Sequence, residues 1–359
     1  MKVMSTKKHL DGRGGGGLSE NEKEGEHHDR VADGAGDGGD RGALAVSERK
    51  GRKITGPDAG PVPAAREAAE EEERMDLLVT LDQNYLGPLR VLLGSLFLND
   101  PGEEFHIYMI EEGLTGAQVE ELSQLCRAHH SQLHPLEVPD GLFTDAPVVR
   151  YYSRAMYYRL LAAELLPREL DRVLYLDPDI LVIRPVRPLY ETQLGDSLLA
   201  AASHSGLTGM SDYVNKIRLS NYEAESYYNS GVLLMNLPQM REEMRPADIF
   251  AYAREYEERL ILPDQDILNG LYGTRILGVD DSVWNYDARR YDRYWLGSHG
   301  EKDMDWVMQH TAILHFCGRL KPWKPGARGR FVALYKYCAV QAARQPDSQE
   351  LPSMTHMTI

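Results

Sequence analysis

The sequence predicts an α/β domain on a mostly parallel central sheet with helices on both faces. From Met75 onward, short apolar runs of strand length alternate with stretches of helical period, the order expected of parallel βαβ units. The runs are largely apolar throughout, as strands covered on both faces are. Acidic residues also stand where such sheets bind ligands, at the carboxyl ends of strands: Asp82 after the first and Asp177 after the fourth.

The elements read in order. MDLLVTLD (75–82) holds the first strand, Leu77 to Leu81, and a helix follows from about Pro88 to Leu98. FHIYMI (105–110) is the second strand. Thr115 and Gln118 have the spacing of a capping box, ahead of a helix with Val119, Leu122 and Cys126 on one face. LHPLEV (133–138) reads as a third strand, a helix starts near Ser153, and VLYLD (173–177) is a fourth, buried strand.

Composition separates the first 75 residues from the rest. They hold 14 of the 32 glycines and no Phe, Tyr or Trp, and end in the acidic run Glu70 to Glu73. Such a segment buries too little apolar surface to offset chain entropy, so residues 1–75 are expected to be a disordered tail. Met75 stands directly before the first strand, and the expectation is that it is the true initiator; a regulatory or linker tail is the alternative. The start, MKVMSTKKHLDGRGGGG, lacks an apolar stretch after its lysines, unlike a secretory signal. No apolar run is long enough to span a membrane.

The 359 residues carry a net charge of −15. This argues against general binding to nucleic acid or to anionic membrane. Cys126, Cys317 and Cys338 are the only cysteines and form no CxxC. That excludes a disulfide scaffold and an all-thiolate zinc site, and suits the cytoplasm.

The residues that carry chemistry begin with Tyr175-Leu176-Asp177-Pro178-Asp179-Ile180-Leu181-Val182. In extended chain the two carboxylates fall on one side, and Pro178 holds Asp177 extended. Two hard oxygen ligands so placed suit Mg²⁺ or Mn²⁺; an Asp-Pro-Asp turn capping the next element is the other reading. A haloacid-dehalogenase-type phosphatase also uses Asp-x-Asp after an apolar strand. It wants Thr or Val where this chain has Leu181, and places the motif on its first strand. Next comes Tyr228-Asn229-Ser230-Gly231 through Leu237, an apolar strand with an amide at each end. In Pro263-Asp264-Gln265-Asp266, Asp264 reads as a helix N-cap with Gln265 and Asp266 in the first turn; clustered Asp and Gln also suit sugar hydroxyls. His315-Phe316-Cys317-Gly318-Arg319-Leu320-Lys321 follows a strand, offering a third metal ligand in His315 and a phosphate partner in Lys321.

Together these motifs resemble the family 8 retaining glycosyltransferases with the GT-A fold, most closely the bacterial lipopolysaccharide and lipooligosaccharide galactosyl- and glucosyltransferases. Glycogenin and galactinol synthase are more distant. The motifs come in family order: LDQNY (81–85), MYYRL (156–160), LYLDPDILV (174–182), YYNSGVLLMNL (227–237), PDQDILNGL (263–271) and HFCGRLKPW (315–323). The resemblance covers about residues 76–324. It implies a GT-A domain over 76–325, followed by a C-terminal helix and tail over 326–359.

The resemblance also implies roles. Asp82 meets the uracil edge and Asn84 the ribose of a UDP-hexose donor. Arg159 contacts the donor sugar and a carboxylate. Asp177, Asp179 and His315 hold Mn²⁺ or Mg²⁺. Asn229, Asp264 and Gln265 face the transferred galactose or glucose, and Gly318 and Lys321 lie against the diphosphate. The acceptor implied is a bacterial cell-surface saccharide. A non-catalytic relative that binds nucleotide sugar or a protein partner is the alternative, and it has no need of Asp177, Asp179, His315 and Lys321 together. The chain departs from the family at Gln83, where a second Asp is frequent, at Pro178, and at Ala201 to Gly206, where His204 takes the place of an acceptor-side Asp. Trp284 to Trp295 reads as an aromatic platform for acceptor sugars or as a cluster under a loop. After Gly329, Phe331, Leu334, Tyr335 and Cys338 fall on one helical face near Arg328, Arg330, Lys336 and Arg344. This segment, 326–344, either touches anionic lipid at the inner face of the membrane, as in similar family members, or packs back on the domain.

Overall fold

The computed structural model describes residues 74–344 other than 140, 144–145, 148–154, 204–214, 216–217 and 222. β1 (Met75–Asp82) passes through a single 3₁₀ turn, Gln83–Tyr85, into α1 (Leu86–Asn99). β2 (Phe105–Glu112), α2 (Gly116–Ala128) and β3 (Gln132–Pro135) follow. The short helices α3 (Ala155–Tyr158) and α4 (Ala162–Leu165) lead to β4 (Arg172–Leu176) and β5 (Ile180–Val182). Then come α5 (Arg187–Tyr190), β6 (Leu199–Ser203), β7 (Tyr228–Asn236), α6 (Leu237–Glu243), α7 (Pro246–Glu255) and α8 (Pro263–Tyr272). β8 (Ile276–Val279), α9 (Asp281–Trp284), β9 (Tyr286–Asp287) and α10 (Tyr291–Gly297) come next, before α11 (Met304–His310), β10 (Ile313–His315) and α12 (Val332–Ala343).

The main sheet has seven strands in the order β3-β2-β1-β4-β7-β6-β8. β1, β2, β3 and β4 run parallel, and so do β6 and β8, while β7 runs antiparallel to both β4 and β6. A smaller sheet, β5-β10-β9, stands beside it. Alternation along each strand sends successive side chains to opposite faces. Leu77, Val79, Leu174 and Leu176 pack under α1, α2 and α5; Leu78, Val173, Tyr175 and Leu233 pack under α4, α6, α7 and α8. Each such side chain contributes roughly 1.5–3 kcal/mol by leaving water. Among the described residues no helix is long and apolar enough to cross a membrane.

The capping box before α2 forms: Thr115 Oγ1 accepts from the Gln118 amide at 3.3 Å, and Gln118 Oε1 accepts from the Thr115 amide at 2.8 Å. Two local expectations need correction. β3 ends at Pro135 rather than Val138; Leu136 still donates to Met109 O at 2.8 Å, so Pro135 turns its nitrogen to the open side of this edge strand, where proline is tolerated. At α8, Pro263 occupies the first turn behind Leu262, so Asp264 is not the N-cap. Asp266 instead reaches back to accept from the Ile261 and Leu262 amides at 2.6 and 2.9 Å. Of the two readings of the aromatic stretch, Tyr286 follows the cluster reading, stacking on Tyr294 at 4.1 Å and packing with Tyr291 against Phe331, while Trp295 is 43% exposed. The apolar face of α12 also turns inward, with Phe331, Tyr335 and Cys338 buried against Phe316 and Val91. Residues 1–73, Ser153 and His204 lie outside the described residues.

Candidate active site

The site forms where the main and the small sheet meet. Asp177 follows β4, and its amide donates to Gly231 O on the antiparallel β7 at 2.8 Å. Pro178 alone separates it from Asp179, whose carbonyl accepts from the Phe316 amide at 3.0 Å. β5 and β10 pair antiparallel, with Ile180 opposite His315. That register carries His315 across to the two aspartates. His315 Nε2 stands 3.3 Å from Asp179 Oδ1 and 3.7 Å from Asp177 Oδ2. One ligand atom from each of the three residues falls within 4.8 Å of the others.

These residues fit a divalent cation. Two carboxylates and an imidazole are a donor set that Mn²⁺ accepts. Glycine clears the space beside them: a β-carbon at Gly231 would lie 2.3 Å from His315 Cε1 and 2.6 Å from Asp177 Oδ2. Burial alone would lower the His315 pKa, but the neighbouring Cys317 and the Asp179 carboxylate hold it well above the ordinary value. Burial alone would raise that of Asp179; His315 and Lys321 hold its carboxyl well below the usual range. Lys321 Nζ pairs with Asp179 and donates to Phe316 O at 3.0 Å.

Arg159 is the second organising group. Its guanidinium lies 3.0 Å from Asp177 Oδ1 and 3.1 Å from Asp264 Oδ2, and its Nη1 donates to Ser230 O at 3.0 Å. It stacks over the buried Tyr175 ring at 4.7 Å, and the Tyr175 hydroxyl donates to Asp177 Oδ1 at 2.6 Å. Burial opposes its charge, but Asp177 and Asp264 outweigh that and keep it protonated. Ser230 Oγ donates to Asp264 Oδ2 at 2.9 Å. Beside it, Asn229 Nδ2 donates to Gln265 Oε1 at 3.0 Å. The sequence motifs on β4, β7, α8 and β10 therefore converge through direct side-chain contacts.

Asp82 and Asn84 stand at the end of β1. Asp82 Oδ1 accepts from the Asn84 amide at 2.7 Å, which fixes the turn. Tyr85, next in line, packs edge-on to Trp323 at 5.7 Å. Burial raises its phenol pKa above the ordinary value. Gly318 has φ +77, and a β-carbon there would meet Arg289 Nη1 at 2.2 Å. Arg289 donates twice to the buried Asp287, at 2.9 and 2.7 Å.

Four residues around the site were given no role by the sequence: Tyr175, Ser230 and Tyr85, which lie inside the motifs, and Asn285, which lies outside them. Asn285 is fully buried between Trp284 and Tyr286. Its Oδ1 lies 2.8 Å from His315 Nδ1, and its Nδ2 donates to Asn229 Oδ1 at 2.9 Å. A polar residue between two aromatics was the available signal.

Known proteins resemble this chain over most of its length. General stress protein A of Bacillus subtilis is 24% identical over 266 residues, covering 72% of this chain and 90% of that protein. The lipopolysaccharide 1,2-glucosyltransferase of Escherichia coli K12 is 24% identical over 280 residues, covering 77% and 80%. The solved galactosyltransferase LgtC, in complex with donor and acceptor sugar analogs, superposes with a TM-score of 0.60 at 24% identity, over 76% of this chain and 98% of that one. The likeness to LgtC supports the GT-A fold expected from the motifs. The model of glycosyl transferase family 8 matches residues 76–326, and the chain belongs to that family.

Proposed function

We propose that this protein moves galactose or glucose from a UDP-sugar to a saccharide acceptor, with a divalent cation and with retention of anomeric configuration. The observation that carries this reading is the convergence of Asp177, Asp179 and His315 beside Lys321. UDP leaves as an anion, and such a site stabilises that developing charge. A bound Mn²⁺ or Mg²⁺ would supply the Lewis acidity for the diphosphate. Lys321 would add a positive charge to the same phosphates, Gly318 would admit them closely, and Asp82 and Asn84 would hold the uridine.

On the sugar side, Arg159, Asn229, Asp264 and Gln265 form the wall. Double displacement would need a carboxylate nucleophile at the anomeric carbon. Gln265 is an amide, and its oxygen already accepts from Asn229. Asp264 is held by Arg159 and Ser230. These contacts support departure and attack on one face of the sugar, with a donor phosphate oxygen taking the acceptor's proton. The relatives' names support a bacterial surface saccharide as acceptor.

The test is release of UDP from a panel of UDP-sugars with Mn²⁺, with and without EDTA. UDP from UDP-galactose or UDP-glucose alone, abolished by EDTA, is expected. Turnover indifferent to EDTA, or release of inorganic phosphate instead of UDP, would sink the reading.

A further inference from the structure

We infer that Asn285 is a positioning residue that fixes the ring orientation and tautomer of His315 and, through Asn229, the orientation of Gln265, so that the metal ligand and the sugar-facing amide form one hydrogen-bonded unit. The inference rests on the function proposed above for its sugar-side arm, and on geometry alone for its metal-side arm.

One group in this series cannot be reversed. An amide side chain can turn end for end, exchanging its oxygen and nitrogen; a backbone N–H only donates. The Gly231 amide donates to Asn229 Oδ1 at 3.0 Å, so that atom is an acceptor. Asn285 reaches the same oxygen at 2.9 Å and must present its nitrogen there. Its own oxygen therefore faces His315 Nδ1, at 2.8 Å. An oxygen accepts, so Nδ1 carries the hydrogen and Nε2 is left as the ligating atom, turned toward Asp177 and Asp179. In the other direction, Asn229 has only its nitrogen left for Gln265, and that nitrogen donates to Gln265 Oε1 at 3.0 Å. The direction of each bond in the series thus descends from the Gly231 amide. β9 and β10 hold the ends in register, with Tyr286 opposite Leu314 and Asp287 opposite His315, and Asn285 is fully buried. Groups that orient a metal-bound histidine through its second nitrogen typically affect metal affinity about 10–100-fold.

Two substitutions separate the arms. Asn285→Asp keeps an acceptor for His315 Nδ1 and removes the donor to Asn229. Asn285→Ala removes both. Calorimetric titration of the full chain with Mn²⁺ alone, and UDP release at saturating Mn²⁺, are measured on each. Asn285→Asp is expected to bind Mn²⁺ at least as tightly as the wild type while kcat falls about tenfold or more with little change in donor KM, the mark of an interaction made in the transition state. Asn285→Ala is expected to lose about 10–100-fold in Mn²⁺ affinity as well. A merely structural asparagine would make both variants fail together, in proportion to their loss of melting temperature. Wild-type Mn²⁺ affinity in Asn285→Ala, or wild-type kcat in Asn285→Asp, overturns the assignment. If Asn285→Ala does not melt cooperatively, Asn229→Ser, which takes away the acceptor of the Asn285 amide, is titrated in its place, and unchanged affinity there overturns it equally. A wild type that binds Mn²⁺ with the expected dependence on residue 285, yet releases no UDP, overturns the proposed function and upholds the metal-side arm.

Discussion

Gly231 lies flat against His315, so close that a β-carbon at 231 would stand 2.3 Å from the imidazole Cε1. Gly231→Ala is therefore expected to spread the candidate cation site without removing Asp177, Asp179 or His315. Overpacking of this kind costs about 1–3 kcal/mol. Mn²⁺ affinity and UDP release should fall together, with a modest loss of melting temperature. Titration and turnover on the same preparation check this, and full activity in the variant would show that the ring can move aside freely.

Arg159 spans Asp177 and Asp264, and a lysine cannot span both. Arg159→Lys is expected to leave one carboxylate without its partner and to lower kcat by orders of magnitude. Arg159→Ala leaves both, and breaking such a buried pair costs about 3–5 kcal/mol. Thermal melts and UDP release distinguish the two substitutions. Equal melting of Arg159→Ala and wild type would contradict a stabilising role for this pair.

Truncation after Pro325 removes Phe331, Tyr335 and Cys338 from the core they share with Phe316. Melting temperature and activity are expected to drop in step. Tyr335→Ala is the milder form, and loss of a buried aromatic costs about 3–5 kcal/mol. Co-sedimentation with anionic vesicles tests the lipid reading of the same segment. Binding that is lost on truncation while donor hydrolysis survives would show that the helix serves the membrane rather than the fold.

Asp76, at the start of β1, is 7% exposed, and burial raises its carboxyl above the ordinary 3.8 despite Arg74 beside it. A carboxyl whose folded pKa is raised stabilises the fold fully below its unfolded pKa, and that contribution disappears as pH rises through the folded value. Asp76→Asn cannot ionise. Its melting temperature should exceed the wild type's at neutral pH, and the gap should close as the pH falls toward the ordinary carboxyl value. A gap independent of pH would rule out ionisation as the cause.

Much of the site was legible because its chemistry lies in short strings. Asp177 and Asp179 announce themselves by spacing, and His315 by ending an apolar run. What brings them together is the antiparallel pairing of β5 with β10, and a strand of three residues carries no pattern that names its partner. Reversal of β7 was hidden for the same reason: an apolar strand reads alike in either direction. Asn285 stayed out of sight because its value lies in what its amide touches across 30 residues of chain and more. The aromatic residues after it left two readings open, since tyrosine is at home both in a core and on a sugar platform, and the stacking of Tyr286 on Tyr294 assigns those two rings to a cluster.

The passage from β4 to β5 takes only Asp177, Pro178 and Asp179, so both carboxylates sit at the joint between the two sheets, with His315 supplied from the far side of that joint. A cation held there would act as a rivet. Its loss should loosen the small sheet as a body, so amide hydrogen exchange in β9 and β10 ought to quicken on chelation while β1 and β2 keep their protection. The protein's rigidity at this seam would then rise and fall with the metal supply of the cell.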